Sequence, residues 1–278
     1  MRFIFSTGSL YTYGTERCFD LAARAGFAGI ELMVDERWDT RQPAYVLRLV
    51  DRYRLPVVAV HSPFAQRLPG WPDDEVGRIL LSVQLAEALG AEVVVHHLPA
   101  RMGTAWLQAG GRRYRVPVLG WDRDGPYRSW LREGYAAEQE HTPVTLCIEN
   151  MPAQRLFGRP WNGHTWNSPA EIARFPALTL DTTHLATWGQ EPSEVYAGFP
   201  LGKVRHIHLS NYDGREHRRP EDGTLQLERL VAQLATDGYA GAVTLELHPD
   251  ALEAGADDAR IEALLSTSLG HCRAWAGA

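Results

Sequence analysis

The chain has 278 residues, of which 45% are hydrophobic and 22% are charged, and its formal net charge is −6 at pH 7. This composition is ordinary for a globular protein with a sizeable core. The acidic balance disfavours nucleic acid as a partner without excluding a local basic cleft, because general nucleic-acid-binding proteins carry an excess of basic residues. No stretch approaches the roughly 18 consecutive apolar residues that a membrane helix needs, so no membrane partner is expected.

The amino-terminal and cysteine patterns predict the compartment. The opening residues, MRFIFSTGSLYTYG, reach polar side chains too soon to form the apolar region of a signal peptide. Cys18, Cys147 and Cys272 are odd in number and far apart, and they form no CxxC motif. A disulfide framework and a zinc knuckle are therefore not expected, and a reducing cytoplasm is the simplest location.

Short apolar runs alternate with segments of helical periodicity along the whole chain. Residues 76–89 and 225–234 carry apolar side chains at helical spacing. Gly26, Gly90 and Gly238 each stand just before an apolar run, where they predict helix C-caps that lead into strands. The predicted strands are 3–6, 29–33, 57–60, 92–95, 144–148, 178–180, 204–209 and 243–247.

Eight strands that alternate with helices predict an α/β protein with a parallel sheet, and eight is the number that closes into a (β/α)8 TIM barrel. A doubly wound open sheet is the competing fold. It would normally carry a glycine-rich phosphate loop after an early strand, and neither GxGxxG nor GxxxxGK[ST] occurs here. We therefore expect a single TIM-barrel domain over residues 1–278.

Two connections are too long to be plain turns. They span residues 99–127 and 153–167, after the fourth and fifth predicted strands, and the second contains Trp161. Both follow the carboxyl ends of strands, so they should overhang the face where barrels carry their active sites. Long loops rich in aromatic residues and arginine at that face are typical of lids or substrate clamps, and the alternative is surface decoration.

Six consecutive predicted strands end in residues that commonly bind metals. In a closed barrel these ends converge on one ring, where several carboxylates would repel one another unless a cation neutralised them. A divalent metal site is therefore expected at the mouth. The strand-end residues are His61, the His96-His97 pair, Glu149, Asp181 with His184 three residues later, His208 and Glu246.

Three neighbouring residues need separate interpretation. Alternation from Val95 lets only one of His96 and His97 face the ring, and we favour His96 over His97. His206 should point inward one layer below His208, as a structural histidine rather than a ligand. Glu31 ends the second strand and has two open roles, substrate contact or support of the ligands.

Four motifs together resemble the xylose-isomerase-like, AP-endonuclease-family-2 TIM barrels. They are IEN at the end of the fifth strand, DTTH on the sixth, HIHLSN followed by HRRPEDG on the seventh, and LELHP on the eighth. They occur in order over nearly the whole chain. The superfamily includes ketose 3-epimerases, sugar and hydroxypyruvate isomerases, inosose dehydratases and endonuclease IV, so the resemblance implies a fold and not a single reaction.

The isomerase and epimerase branch implies one divalent metal (Mn, Mg, Co or Zn) and a small carbohydrate substrate, with or without a phosphate. By resemblance the metal ligands are Glu149, Asp181, His208 and Glu246. The two glutamates also form the acid–base pair: one removes a proton beside a carbonyl and the other returns one, while the metal stabilises the enediolate.

The substrate contacts implied for this branch are His184 and Arg215, to which we add His61, His96 and Trp161 from their places at strand ends and in the second long loop. The chain departs from some ketose epimerases after the fifth strand. It has Gln154 and Arg155 where those enzymes have another acidic residue.

The endonuclease IV branch, a multi-zinc phosphodiesterase, is the alternative. It adds histidines to hold three zinc ions, and the matching residues here are His61, His96, His184 and His217. The aspartate expected two residues before His217 is Arg215, and Glu216 is shifted by one position. A non-catalytic metal- or sugar-binding barrel is a third hypothesis. The residues leave the oligomeric state open, a homo-oligomer included.

Overall fold

The computed structural model describes residues 1–64, 67–101, 104–109, 112–117, 125–156 and 159–277. Residues of the two long connections that fall between these ranges are outside the description. Among the described residues, no helix has both the length and the apolar character required to cross a bilayer.

The strands occur close to where the apolar runs predict them. The described strands are β1 (Arg2–Ser6), β2 (Ile30–Met33), β3 (Val57–His61), β4 (Val93–His97), β5 (Thr104–Ala109), β6 (Arg112–Pro117), β7 (Thr145–Glu149), β8 (Gln154–Leu156), β9 (Arg159–Trp161), β10 (Leu178–Asp181), β11 (Val204–Leu209) and β12 (Ala242–Leu245).

Helices lie between successive strands of the chain except within β4–β6 and β7–β9. The described α-helices are α1 (Thr15–Ala25), α2 (Pro43–Tyr53), α3 (Glu75–Leu89), α4 (Gly125–Glu133), α5 (Tyr135–His141), α6 (Pro169–Ile172), α7 (Thr182–Thr187), α8 (Pro192–Ala197), α9 (Leu227–Thr236) and α10 (Asp258–Trp275). Short 3₁₀ helices lie at Thr7–Leu10, Trp38–Arg41 and Pro249–Leu252.

Eight of the described strands close a parallel barrel in the order β1-β12-β11-β10-β7-β4-β3-β2. The ring closes between the first and last strands, where Arg2 pairs with Ala242 and Phe5 with Leu245. The expected (β/α)8 barrel is confirmed. Because all eight strands run the same way, their carboxyl ends meet at one mouth.

Local sequence explains where the helices stop. Gly26, Gly90 and Gly238 have φ angles of 88°, 70° and 67°. This left-handed conformation carries no steric penalty for glycine, which has no Cβ. Gly26 and Gly90 cap the carboxyl ends of α1 and α3, so the chain turns sharply there and enters the next strand.

Two hydrophobic layers hold the barrel. Small and β-branched side chains, among them Ala59, Val93, Val95 and Cys147, fill its interior. A larger layer lies between the outer surface of the strands and the surrounding helices and includes Val94. Alternate residues of one strand therefore belong to different layers, as the pleat of a β-strand requires.

The long connections after β4 and β7 each contain an antiparallel hairpin, β5–β6 and β8–β9. Their bases are joined at the carboxyl end of the barrel. The amide of Arg101 donates to the carbonyl of Gly163 at 2.8 Å, and the amide of Thr165 donates to the carbonyl of Pro99 at 2.9 Å. The two connections thus form one joined feature, and their role as a lid or clamp stays a prediction.

Close backbone approach at Gly241, just before β12, gives a stability prediction. A Cβ atom there would lie 2.5 Å from the carbonyl oxygen of Arg205. Gly241→Ala is expected to lower the free energy of unfolding by ~1–3 kcal/mol through this overlap. Gly270→Ala is the control, because a Cβ on this exposed position of α10 meets nothing within 4 Å. It should raise stability by about 0.5–1 kcal/mol. Urea unfolding measures both, and equal stabilities would contradict the prediction.

Candidate metal centre

Four side chains meet at the carboxyl mouth of the barrel. Glu149, Asp181 and His208 lie at or near the ends of β7, β10 and β11, and Glu246 directly follows β12. Each offers one ligand atom, and these four atoms all lie within 4.8 Å of one another. The structure therefore brings together the four residues that the sequence resemblance selects as metal ligands.

The Nδ1 atom of His208 lies at the centre of the four. It is 2.9 Å from Oε2 of Glu246, 3.1 Å from Oε1 of Glu149 and 3.7 Å from Oδ2 of Asp181. The side chain of Glu246 is 12% exposed, whereas the other three are almost completely buried. Glu246 therefore forms the rim of the group that faces the open mouth.

The charges of neighbouring side chains shift the pKa values within this group. Burial would raise the pKa of Glu246, but the neighbouring His208 outweighs burial and lowers it to about 2. The pKa of Glu149 likewise lies well below its ordinary value, because His208, His61 and His97 outweigh the effect of burial. Burial would lower the pKa of His208, and the surrounding carboxylates raise it well above its ordinary value. The carboxylates of Glu149 and Glu246 are thus held ionised by positive charge.

The donor set fits a divalent cation. Oε2 of Glu149 and Oδ2 of Asp181 are buried and accept no hydrogen bond of good geometry within the described parts of the chain. The nearest imidazole nitrogens lie 3.3 Å and 3.4 Å from the first oxygen and 3.7 Å from the second. An ionised oxygen buried without a partner is costly, and a bound cation would remove that cost. Three carboxylates with one imidazole are ligands that Mn²⁺, Mg²⁺, Co²⁺ or Zn²⁺ accept, with nitrogen favouring the transition metals.

Further histidines surround the four residues. Nε2 of His61 lies 3.4 Å from Oε2 of Glu149, and His61, Glu149 and His208 form a second group with metal-binding spacing. Burial would lower the pKa of His61, but Glu149 outweighs burial and raises it to about 9. A third group consists of Asp181, His184 and His217. Three of the four expected additional histidines therefore lie at the mouth.

The expectation that His96 faces the ring is wrong, since His97 does so. Nε2 of His97 lies 3.3 Å from Oε2 of Glu149. The pleat places Val93, Val95 and His97 inward and turns Val94 and His96 toward the helices. His96 is buried there, with Nδ1 2.8 Å from the hydroxyl of Tyr127, and burial lowers its pKa to about 3. His96 therefore contacts neither the ring nor the cavity, and its predicted roles in metal and substrate binding are corrected.

Arg215 faces away from the centre, and Trp161 is not among the residues shown to line it. The side chain of Arg215 is 68% exposed and pairs with Asp213 at 2.9 Å, so it faces solvent. Glu216, the next residue, instead approaches the site, with Oε2 3.9 Å from Nε2 of His184. Trp161 pairs with Gln154 in the β8–β9 hairpin and is absent from the described lining of the cavity.

A cavity of about 250 Å³ opens above the four candidate ligands. Glu149, Glu246, His61, His97 and His184 line its polar side. The other side is apolar and consists of residues that sequence reasoning missed, among them Tyr11, Met33, Phe64 and Met151. Phe64 and Tyr11 follow β3 and β1, so only their position after a strand end could have indicated them.

The order and geometry of these residues agree with one known family. The family model of the xylose isomerase-like TIM barrel matches residues 19–267. The chain belongs to this family. Its members share the barrel whose strand ends carry Glu149, Asp181, His208 and Glu246 here, so the family accounts for the fold and leaves the reaction open.

Sequence relatives of this family member include an uncharacterized protein of Mycobacterium bovis. It is 29% identical over 293 residues, covering 96% of this chain and 95% of the relative. Among solved structures, 3-keto-D-glucoside 4-epimerase from E. coli has a TM-score of 0.69 at 17% identity, with 99% of each chain covered. AP endonuclease, family 2 from Brucella melitensis has a TM-score of 0.63 at 18% identity, covering 90% of this chain and 94% of that one. Both structural likenesses are those of a shared fold.

Proposed function

We propose that the protein is a divalent-metal-dependent isomerase or epimerase that acts on a small sugar or related keto-polyol. One observation carries the proposal: the ligand atoms of Glu149, Asp181, His208 and Glu246 converge within 4.8 Å beneath an open cavity. The similarity to an epimerase structure supports the substrate class. A cation bound here would act as a Lewis acid that polarises substrate oxygens.

Glu149 and Glu246 are the proposed acid–base pair. Both line the cavity, and both contact Nδ1 of His208, so their carboxylates approach the same point from two barrel strands that are not neighbours. A carbon held between them could lose a proton to one carboxylate and gain a proton from the other. General acid–base transfer needs this closeness, and it works best when each group sits within hydrogen-bond reach of the substrate.

The direct test is proton exchange in heavy water. Protein loaded with Mn²⁺, Co²⁺ or Zn²⁺ is incubated with a panel of ketoses in D₂O, and deuterium incorporation beside the carbonyl is followed by NMR. Incorporation, with or without an epimerised product, is the expected result. Absence of exchange for every ketose and every metal would contradict the proposal.

A multi-zinc hydrolase is the second candidate, and one observation favours it. The groups His61–Glu149–His208 and Asp181–His184–His217 flank the proposed ligands and share residues with them. Such an overlap would suit two or three neighbouring ions. Two observations disfavour the hydrolase. Arg215, which replaces the aspartate expected for this branch, faces solvent, and the carboxylate of the adjacent Glu216 approaches His184 only to 3.9 Å. Cleavage of abasic-site DNA by zinc-loaded protein, without ketose exchange, would establish this candidate instead.

The apolar side of the cavity predicts an aromatic contact with the substrate. Phe64 is 60% exposed, lines the cavity and stacks on His97 with ring centroids 5.8 Å apart. Phe64→Ala is expected to raise KM by about 2–10-fold with little change in kcat, since an aromatic contact contributes roughly 0.5–1.5 kcal/mol. Leu201→Ala is the control, because Leu201 is 74% exposed and precedes β11 at the opposite end of the barrel. Equal kinetics for both variants would contradict this role.

A further inference from the structure

A buried carboxylate lies directly beneath the proposed metal ligands. Glu31 on β2 is completely buried, and its Oε2 atom is 2.6 Å from Nε2 of His206 and 3.1 Å from Nε2 of His208. An ionised carboxylate in the barrel interior is costly unless such partners hold it. Its presence there needs a reason beyond packing.

The two nitrogens of His208 face opposite surroundings. Nδ1 points into the three carboxylates of the mouth, and Nε2 points down to Glu31. A neutral imidazole binds a metal through the nitrogen that carries a lone pair, and the other nitrogen then carries the proton. For Nδ1 to be the ligand, the proton must therefore be on Nε2, where Glu31 is placed to accept it.

We propose that Glu31 is the positioning residue of the metal centre: by accepting the Nε2–H of His208, it fixes the tautomer and ring orientation that direct Nδ1 at the cation. The inference rests on the proposed function. Carboxylates behind metal-binding histidines have this effect generally, and losing one typically weakens metal binding about 10–100-fold.

The surroundings of Glu31 hold its carboxylate in place. Nε2 of His206 donates to Oε2 of Glu31 at 2.6 Å, and the hydroxyl of Thr244 lies 3.3 Å from that oxygen and 2.9 Å from Nε2 of His206. These contacts come from β11 and β12, on the far side of β1 from β2. Glu31 therefore has a fixed orientation, and it is not among the described residues that line the cavity.

A cation bound within the Glu31 group itself is a less satisfactory account. Glu31, His206 and His208 have ligand atoms within 4.8 Å of one another. Two ligands at ~2.0 Å from a tetrahedral ion are separated by about 3.3 Å. The 2.6 Å contact between Glu31 and His206 is shorter than that and has the length of a charge-assisted hydrogen bond.

The test is Glu31→Gln, with Zn²⁺ as the probe. The amide keeps the size of the side chain but can present N–H to Nε2 of His208, which would favour the tautomer with the proton on Nδ1. We expect the dissociation constant for Zn²⁺, measured by equilibrium dialysis, to rise by about 10–100-fold. We also expect the deshielded Nε2–H resonance of His208 in ¹⁵N-histidine-labelled, zinc-loaded protein to disappear or move.

Glu221→Gln is the matched control. Glu221 is largely buried and accepts a hydrogen bond from Ser268 at 3.0 Å, away from the proposed ligands. It should lose similar stability and keep the zinc affinity of the wild type. A Glu31→Gln variant that folds and binds Zn²⁺ as the wild type does would overturn this inference alone. Failure of the wild type to bind Zn²⁺ would overturn the metal centre and the inference with it.

The wild type gives a second measurement if Glu31→Gln does not fold. In zinc-loaded wild-type protein the ¹⁵N shifts of His208 should show zinc on Nδ1 and a slowly exchanging, hydrogen-bonded proton on Nε2. Zinc on Nε2, or a freely exchanging Nε2 proton, would overturn the proposal without any variant.

Discussion

Glu246→Gln is expected to reduce proton exchange at the substrate carbon by about 10²–10⁴-fold, which is the usual contribution of one general acid–base group. The amide keeps the shape of the side chain but cannot take up a proton. Glu246 lies at the rim, 12% exposed, so the barrel beneath it should remain folded. Deuterium incorporation into a ketose in D₂O measures the loss, and circular dichroism with thermal unfolding checks the fold.

Glu253→Gln is the control for Glu246→Gln. It makes the same chemical change on the connection that follows β12, where Glu253 pairs with Arg260 at 2.6 Å in an exposed ion pair. Exposed pairs contribute little to stability, so this variant should keep full activity. Near-normal exchange by Glu246→Gln, or an equal loss in both variants, would refute the proposed acid–base role of Glu246.

Much of the fold and the meeting of the candidate ligands could be predicted because strand ends are visible in the sequence. Glu149, Asp181 and His208 each interrupt an apolar run, and a parallel barrel brings all such interruptions to one mouth. Glu246 was expected at the end of the last strand and instead follows it, since β12 ends at Leu245. The shift does not move its side chain away from the others. The meeting of strand-end residues at one mouth depends on the barrel topology, so it is predicted correctly even when a strand boundary is misplaced by one residue.

The direction of a side chain, toward the barrel interior or toward the helices, is harder to predict, as His96 and His97 demonstrate. The run that precedes them, EVVV, is apolar at each valine, so the sequence gives no contrast between the inner and outer surfaces of β4. A one-residue error in the pleat exchanges every side chain between those surfaces. In the structure Val93 and Val95 face inward, so His97 does as well. A helix-facing histidine such as His96 needs a partner, and Tyr127, 31 residues later, could not be identified in advance.

Loop residues were the hardest to predict. Arg215 and Glu216 lie in an irregular segment between β11 and α9, where no period links a residue to a direction. Arg215 pairs locally with Asp213, and this leaves Glu216 nearer the site. The sequence leaves the role of Glu31 open between substrate contact and ligand support, and only its depth beneath His208 distinguishes the two.

Removal of the proposed divalent cation is expected to abolish turnover and to destabilise the protein. Glu149 and Asp181 would then retain buried carboxylate oxygens that accept no hydrogen bond of good geometry in the described structure. A cation at 100 times its dissociation constant stabilises the folded state by about 2.7 kcal/mol. For a protein of this size that corresponds to a Tm difference of roughly 5 °C. Chelation followed by calorimetry and activity measurement, with metal added back stepwise, provides the check.

The number of ions that restores activity separates the two proposed chemistries. One equivalent per chain corresponds to the group of Glu149, Asp181, His208 and Glu246 and to isomerase chemistry, whereas two or three equivalents of zinc require the flanking histidines and correspond to hydrolysis.

Asp181→Asn should lose most of the metal-dependent rise in Tm, because it removes one of the carboxylate charges that the cation neutralises. Asp222→Asn, an exposed change in an ion pair with Arg219, should keep it. A full rise in Tm for Asp181→Asn would mean that the cation binds elsewhere.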